Sequence, residues 1–157
     1  MNDIVKSYQD IHFNAFTLCP LIISFYKGCR IKGDNILLAY LIPPLLFNVE
    51  WQSKLKIIRS TSRLELWSTN KELHLQGIQD RFEFFKSVVT ESLQYCFDMK
   101  WLSLDENNDI HVGRSKRWHA LPVEDMMLKE AASLPKLFNG HTIAEIYVKL
   151  GIHQISL

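Results

Sequence analysis

The chain contains one short segment whose residue types suit contact with another macromolecule. Arg114, Lys116 and Arg117 form its basic part, and Trp118 and His119 follow directly. Cationic groups beside an aromatic ring can hold phosphates, and the ring can stack on a base or on a partner's side chain. The segment therefore predicts a macromolecule contact at Arg114, Lys116, Arg117 and Trp118. A solvated loop of ordinary composition is the alternative.

The histidines do not have the spacing of a metal site. The six histidines lack the i, i+4 pairing and the cysteine partners that a zinc site uses. His111 and His119 are the one pair that a loop could bring together, with Glu124 or Asp125 nearby, to form a metal or acid–base site. Because adjacent residues on a helix point about 100° apart, Glu124 and Asp125 would not share one site. We predict no metal.

Motifs for nucleotide binding and nucleophilic catalysis are incomplete. The segment Gly28–Gly33 has the glycine spacing of a phosphate loop, but Asp34 and Asn35 stand where that loop needs Lys and Ser or Thr. No Gly-x-Ser-x-Gly elbow occurs, and the Ser60–Ser62 cluster suits helix capping. The sequence predicts a protein that is not an enzyme and holds no cofactor.

Composition predicts one soluble domain without a global charge field. The chain has 157 residues, of which 47% are apolar, and a formal net charge of +1. Neither apolar run, Ala15–Tyr26 or Ile36–Phe47, reaches the roughly 20 residues of a membrane span. The first ten residues do not resemble a signal peptide. Three cysteines without a Cys-x-x-Cys pair suit reduced, buried thiols. We expect a cytoplasmic protein with no membrane contact.

Apolar spacing and capping signals predict a mainly helical chain. Asn14 is a candidate N-cap for a helix over His12–Arg30, although Pro20 suggests that its regular part begins there. Asp34 would cap a helix that runs from Asn35 to about Ile42 and ends at two prolines. A short amphipathic stretch follows over Trp51–Ile58, and two helices are predicted to begin at the capping boxes Ser62-x-x-Glu65 and Thr69-x-x-Glu72. An amphipathic helix with the stripe Leu75, Ile78, Phe82 and Phe85 comes next, and a further helix covers about Val88–Met99.

One hairpin follows these helices, with strands Trp101–Leu104 and Ile110–Val112. Its turn carries Asp105, Glu106 and Asp109, which would repel phosphate at the point where a DNA-reading wing is usually positive. Two C-terminal helices are predicted. The first begins with Pro122 at its first helical position, runs to about Ser133 and is interrupted by Pro135. The second runs from the capping box Thr142-x-x-Glu145 to Gly151.

These elements predict a mainly α fold with one small β-hairpin (α+β), compact, winged-helix-like and extended by C-terminal helices. We expect a single domain over residues 1–157, with a helical core and hairpin at about 12–113 and a C-terminal helical extension at about 120–152.

The order and spacing of several segments resemble the middle component of bacterial three-component ABC systems, the Lamassu type among them. The resemblance covers about residues 12–152, and it is carried by Phe13-Asn14-Ala15-Phe16, Tyr26, Leu41-Ile42-Pro43-Pro44-Leu45-Leu46, the segment Arg59–Trp67, Arg81, Trp101-Leu102, the segment Ala132–Phe138 and the segment Ile143–Ile152.

This resemblance implies a non-catalytic adaptor. Such a subunit would link an SMC-like ABC ATPase to an effector, often a nuclease, in an anti-phage and anti-plasmid complex that meets DNA only indirectly. Exposed Trp51, Trp67 or Trp118 would anchor a partner. Two alternatives stay open: a small winged-helix DNA-binding regulator that uses the basic segment, and a small enzyme with a site around His111 and His119.

Overall fold

The computed structural model describes residues 14–68 and 77–155. In these ranges the chain forms α-helices, short 3-10 helices and one hairpin, so the mainly α fold with a small hairpin is confirmed. The elements are α1 (Ala15–Gly28), η1 (Asn35–Leu41), α2 (Ile42–Leu46), α3 (Val49–Leu55), α4 (Leu64–Ser68), α5 (Ile78–Asp98), β1 (Leu102–Leu104), β2 (Ile110–Val112), η2 (Arg117–Ala120), α6 (Asp125–Ser133), η3 (Leu134–Phe138) and α7 (Ile143–Lys149).

Helix α1 lies at the centre of the molecule and packs against α5 and α6. Its N-terminus is fixed by a reciprocal capping box, in which the Thr17 amide donates to Asn14 Oδ1 at 3.1 Å and the Asn14 amide donates to Thr17 Oγ1 at 3.3 Å. The N-cap prediction is confirmed. The prediction that the regular helix begins at Pro20 is wrong, because Pro20 lies inside α1. This proline removes only the bond to the Phe16 carbonyl, and the cap stabilises the turn before it.

The apolar segment after α1 is built differently from the prediction. Asn35–Leu41 is a 3-10 helix, and Asp34 before it has φ 55° and makes no side-chain cap bond. The two prolines, Pro43 and Pro44, do not end a helix but lie in the first turn of α2. Proline fits there because the first amides of a helix have no intrahelical acceptor.

Helix α5 is one continuous element, so the prediction of two helices with a break near Val88 is wrong. No glycine or proline interrupts it, and its buried face continues from Phe82 and Phe85 to Val89, Leu93 and Cys96. The helix predicted to start near Ser62 begins at Leu64. The start predicted at Thr69 lies outside the described residues, as does Leu75.

The hairpin has the predicted strands, with the register Leu102↔Val112, Ser103↔His111 and Leu104↔Ile110. Its turn is bound to the segment before η1, since the Asp34 amide donates to the Asn107 carbonyl at 2.9 Å and the Ile36 amide to the Asn108 carbonyl at 3.2 Å. The turn of the hairpin is therefore attached to the backbone at the start of η1.

The C-terminal helices join the same core. Helix α6 begins at Asp125, three residues after Pro122, so the prediction that Pro122 is the first helical residue is wrong. A Cβ placed on Gly28 would lie 2.5 Å from the Ala132 carbonyl oxygen, which shows how closely α1 and α6 approach. The capping box of Thr142 and Glu145 is confirmed, and Gly151 has the predicted positive φ, 74°. One buried cluster extends from Leu18 to Ile152.

Candidate macromolecule-binding surface

The predicted basic segment lies between β2 and η2 at the base of the hairpin. Arg114, Lys116 and Arg117 are all exposed. Gly113 fixes the start of the segment, because its amide donates to the Trp101 carbonyl at 2.7 Å. Close backbone packing explains why glycine stands there, since an added Cβ would lie 2.6 Å from the Lys100 carbonyl oxygen. Lys100, itself exposed, is thereby placed beside the basic segment.

Trp118, the residue after Arg117, is buried and contacts neighbouring side chains of this surface. Its side chain is 3% exposed, and it packs into the main core. The Lys27 Nζ lies 4.3 Å from the centre of the indole ring, and the His119 ring stacks on it at 3.8 Å. A cation held over an indole face is attracted by the ring quadrupole. Trp118 thus holds Lys27, from the last turn of α1, next to the basic segment.

We call the five exposed cations Lys27, Lys100, Arg114, Lys116 and Arg117 the basic surface. Sequence reasoning found the last three and missed the first two, because Lys27 and Lys100 reach this place only through the packing of α1 and of the hairpin base. In residues 14–68 and 77–155, the ion pairs join Lys86 with Glu83, His111 with Asp105, and both His141 and Lys149 with Glu65. Among the described residues, then, the basic surface has no carboxylate partner.

The far end of the hairpin has the opposite charge. Asp34 and Glu106 are exposed there, and Asp105 is partly exposed. The Asp105 Oδ2 lies 2.7 Å from His111 Nε2, and the bond to His111, with those from the Asp109 and Asn107 amides, lowers the pKa of the Asp105 carboxyl to about 2. Asp105 is therefore ionised throughout the neutral range. The acidic end predicted from the turn is present, except that Asp109 faces inward.

Asn35 and Asp109 form a buried link that fixes the hairpin to the helices. Asn35 is 2% and Asp109 3% exposed. The Asn35 amide donates to Asp109 Oδ1 at 3.2 Å, and Asn35 Oδ1 accepts from the Ile110 amide at 2.7 Å. The Asn35 Nδ2 donates to the Ile31 carbonyl at 2.9 Å, and Tyr26 Oη donates to the Asn35 carbonyl at 2.6 Å. Since a lone Asn carries no recognisable motif, sequence reasoning missed this residue.

The two histidines considered for catalysis have separate partners. His111 pairs with Asp105, and His119 stacks on Trp118. Across the described part of the chain, no group of three or more His, Cys, Asp or Glu side chains is arranged to hold a metal ion. The same residues include no helix whose length and apolar content would let it cross a bilayer.

Comparison with known families decides what this chain is related to. The family model for the ABC-three component (ABC-3C) system Middle Component 3 matches residues 2–154. The chain belongs to this family. A middle component works in a system of several components, so the family implies partner proteins. Neither the curated proteins nor the solved structures include a significant match.

The middle component does not expose the tryptophans that were expected to anchor a partner. Trp51 is 0% and Trp118 3% exposed, so that expectation is wrong for both, and the side chain of Trp67 lies outside the described part. Other large apolar side chains are exposed instead, among them Phe16 and Phe84. Because an indole ring has a large apolar area, its burial in the core is strongly favourable.

The cysteines of the middle component are free, as predicted. Cys19 and Cys96 are buried, and Cys29 is half-buried. Cys19 Sγ donates to the Ser92 carbonyl at 3.3 Å, across the contact of α1 with α5. A hydrogen bond with Cys19, followed by burial, raises the pKa of the Cys96 thiol well above its usual range. Cys96 therefore stays a neutral thiol and packs as a small apolar residue.

Proposed function

We propose that this Middle Component 3 chain is a non-catalytic adaptor. It links an SMC-like ABC ATPase to an effector, such as a nuclease, in a cytoplasmic complex directed against phages and plasmids. The family match over residues 2–154 carries this proposal. The order of Phe13–Phe16, the double proline and the C-terminal segments resembles that of middle components, and this resemblance supports the role of an adaptor between an ATPase and an effector.

The partner anchors of such an adaptor need exposed apolar area near polar groups. Phe84, Val88 and Tyr95 recur at helical spacing on one side of α5, and the Phe16 ring packs edge-on against the Tyr95 ring at 5.1 Å. Phe84 is 52% and Phe16 49% exposed. We call Phe16, Phe84, Val88 and Tyr95 the apolar face, and we assign it to a partner contact.

Co-expression tests the adaptor role. The tagged chain is produced with the products of its neighbouring genes and purified, and we expect an ATPase and an effector to be retained. The chain alone should neither hydrolyse ATP nor cut DNA. Recovery of the free chain only, or turnover of a substrate by the isolated chain, would contradict the proposal.

A surface variant tests the assigned contact. Phe84→Ser should reduce the retained partner by about tenfold, the scale of a hot-spot truncation that costs more than 1 kcal/mol. Val148→Ser is the matched control, because Val148 is 65% exposed on α7. Equal retention by both variants would mean that the apolar face is not the anchor.

A further inference from the structure

We propose that the basic surface binds an acidic segment of one of the partner proteins. This inference rests on the proposed adaptor function and names the chemistry of one contact. Five exposed cations from three separate parts of the chain lie around the hairpin base, since Lys27 contacts the Trp118 ring and the Lys100 backbone packs against Gly113, and none of them has a carboxylate partner among the described residues. Because the whole chain is only +1, its other residues together are net negative. The positive charge is therefore local.

Two contacts anchor the basic surface to the rest of the fold. Lys27 is held over the Trp118 ring, and the Gly113 backbone fixes the start of the segment against β1. From Gly113 to Trp118 the chain spans at most about 18 Å, since an extended residue covers about 3.6 Å. This length matches a short acidic segment in extended conformation. Positions fixed in advance lower the entropic cost of binding it.

The charge at the other end of the hairpin argues for a protein rather than a nucleic acid. Strands of three residues place the carboxylates of Asp34, Asp105 and Glu106 roughly 10–15 Å from the basic surface, at about 3.4 Å per residue. That distance exceeds the Debye length of about 8 Å at physiological salt, so the acidic end does not cancel the positive potential at the basic surface. A duplex lying across the basic surface continues as an unbroken row of phosphates. It would meet this acidic end, whereas a protein can offer charges of both signs.

Base stacking is also missing from the basic surface. Proteins that bind single strands stack bases on exposed aromatic rings. The indole ring of Trp118 is 3% exposed and covered by Lys27 and His119, and the exposed His119 ring already stacks on that indole with one of its two faces. Apart from one imidazole face, the segment therefore offers charge and no exposed indole, phenol or phenyl ring on which bases could stack. Complementary charge of this kind sets the orientation and the association rate of a protein partner.

The test uses a charge-reversed variant, Arg114→Glu/Lys116→Glu/Arg117→Glu, in the co-expression experiment. We expect retention of one partner to fall by about tenfold or more, as for loss of several interfacial charge pairs. The matched control, Lys56→Glu/Arg59→Glu/Lys129→Glu, makes the same change of net charge at exposed positions elsewhere and should retain both partners. Circular dichroism melting confirms that both variants fold.

Zero-length carbodiimide cross-linking of the wild-type complex identifies the occupant, because the reagent joins a lysine amine to a carboxylate in direct contact. We expect Lys27, Lys100 or Lys116 to be linked to a run of Asp or Glu in a partner, with or without nuclease treatment. An intact complex with the charge-reversed variant, and no such cross-link, would overturn this inference and leave the adaptor function standing.

Binding to DNA is the competing outcome. If the purified chain binds a 20-base-pair duplex at physiological salt, loses that binding in the charge-reversed variant, and gives no cross-link to a partner, the basic surface is a DNA site and our inference is wrong. If the wild-type chain retains no partner at all, both the adaptor function and this inference fail.

Discussion

Replacing Asn35 with alanine tests the link between the hairpin and the helices. The Asn35 side chain satisfies two groups, the amide of Ile110 at 2.7 Å and the carbonyl of Ile31 at 2.9 Å. Ile110 is 4% exposed, so water cannot replace the lost bond easily. A buried group left without a partner costs about 1–3 kcal/mol. Asn35→Ala should therefore lower the free energy of unfolding by about 3 kcal/mol.

The expected change is large enough to measure by thermal and urea unfolding. For a chain of this size, 1 kcal/mol corresponds to about 2–4 °C in Tm, so the Tm of Asn35→Ala should fall by roughly 6–12 °C. Tryptophan fluorescence follows the transition, since Trp101 and Trp118 are buried near the hairpin base.

Asn107→Ala is the matched control for this prediction. Asn107 is exposed in the hairpin turn, and such substitutions change stability by about 0.5 kcal/mol or less. If Asn35→Ala melts at the temperature of the wild type, the cost assigned to losing the Asn35 hydrogen bonds is wrong, because the Ile110 amide and the Ile31 carbonyl would then have found other partners.

Three further predictions concern packing, charge and capping. Gly28→Ala should destabilise the chain by about 1–3 kcal/mol in urea unfolding, because the added Cβ would lie 2.5 Å from the Ala132 carbonyl oxygen and force α1 and α6 apart. In carboxyl-carbon NMR, Asp105 should titrate near pH 2, and His111→Ala should raise that midpoint. Because the folded-state pKa of Asp105 is lowered, its stabilising effect is present above the unfolded value of 3.8 and is lost as pH falls toward 2. Thr142→Ala should cost about 1 kcal/mol and speed amide exchange in the first turn of α7, whereas unchanged exchange there would contradict the capping argument.

The parts of the fold that could be predicted are those with local causes. The Asn14 cap, the Thr142 capping box and the Gly151 helix end each depend on a few neighbouring residues, and all three are present. The hairpin was predictable for the same reason, since two apolar segments flank a polar turn.

The parts that could not be predicted depend on contacts distant in sequence. By local rules Pro20 indicates the start of a helix, but the packing of α1 between α5 and α6 stabilises a helix that includes this proline. Pro43 and Pro44 can either end one helix or begin the next, and local rules do not choose between them. Burial of the whole segment from Leu41 to Leu46 fits the second arrangement.

The basic surface likewise contains residues that were predictable from local sequence and residues that were not. Arg114, Lys116 and Arg117 are adjacent in sequence and were found there, while Lys27 and Lys100 join them only in the folded chain. An aromatic residue beside a basic segment can have either of two roles. Its ring can be exposed and stack on a ligand, or it can be buried and pack against the cationic side chains. Sequence proximity cannot separate the two, since both place Trp118 next to Arg117.

The burial of Trp118 in the structure distinguishes the two roles, and it limits which ligands the basic surface can bind. Because the Trp118 ring is covered by Lys27 on one side and by His119, the affinity of this surface must come from charge and shape. Charge acts over a Debye length and depends on its fixed surroundings. The Asn35 and Asp109 link therefore matters for recognition as well as stability, since it holds the acidic end of the hairpin at a fixed distance from the basic surface. On our inference, a partner that binds the basic surface also lies near the acidic end, which favours a protein with charges of both signs.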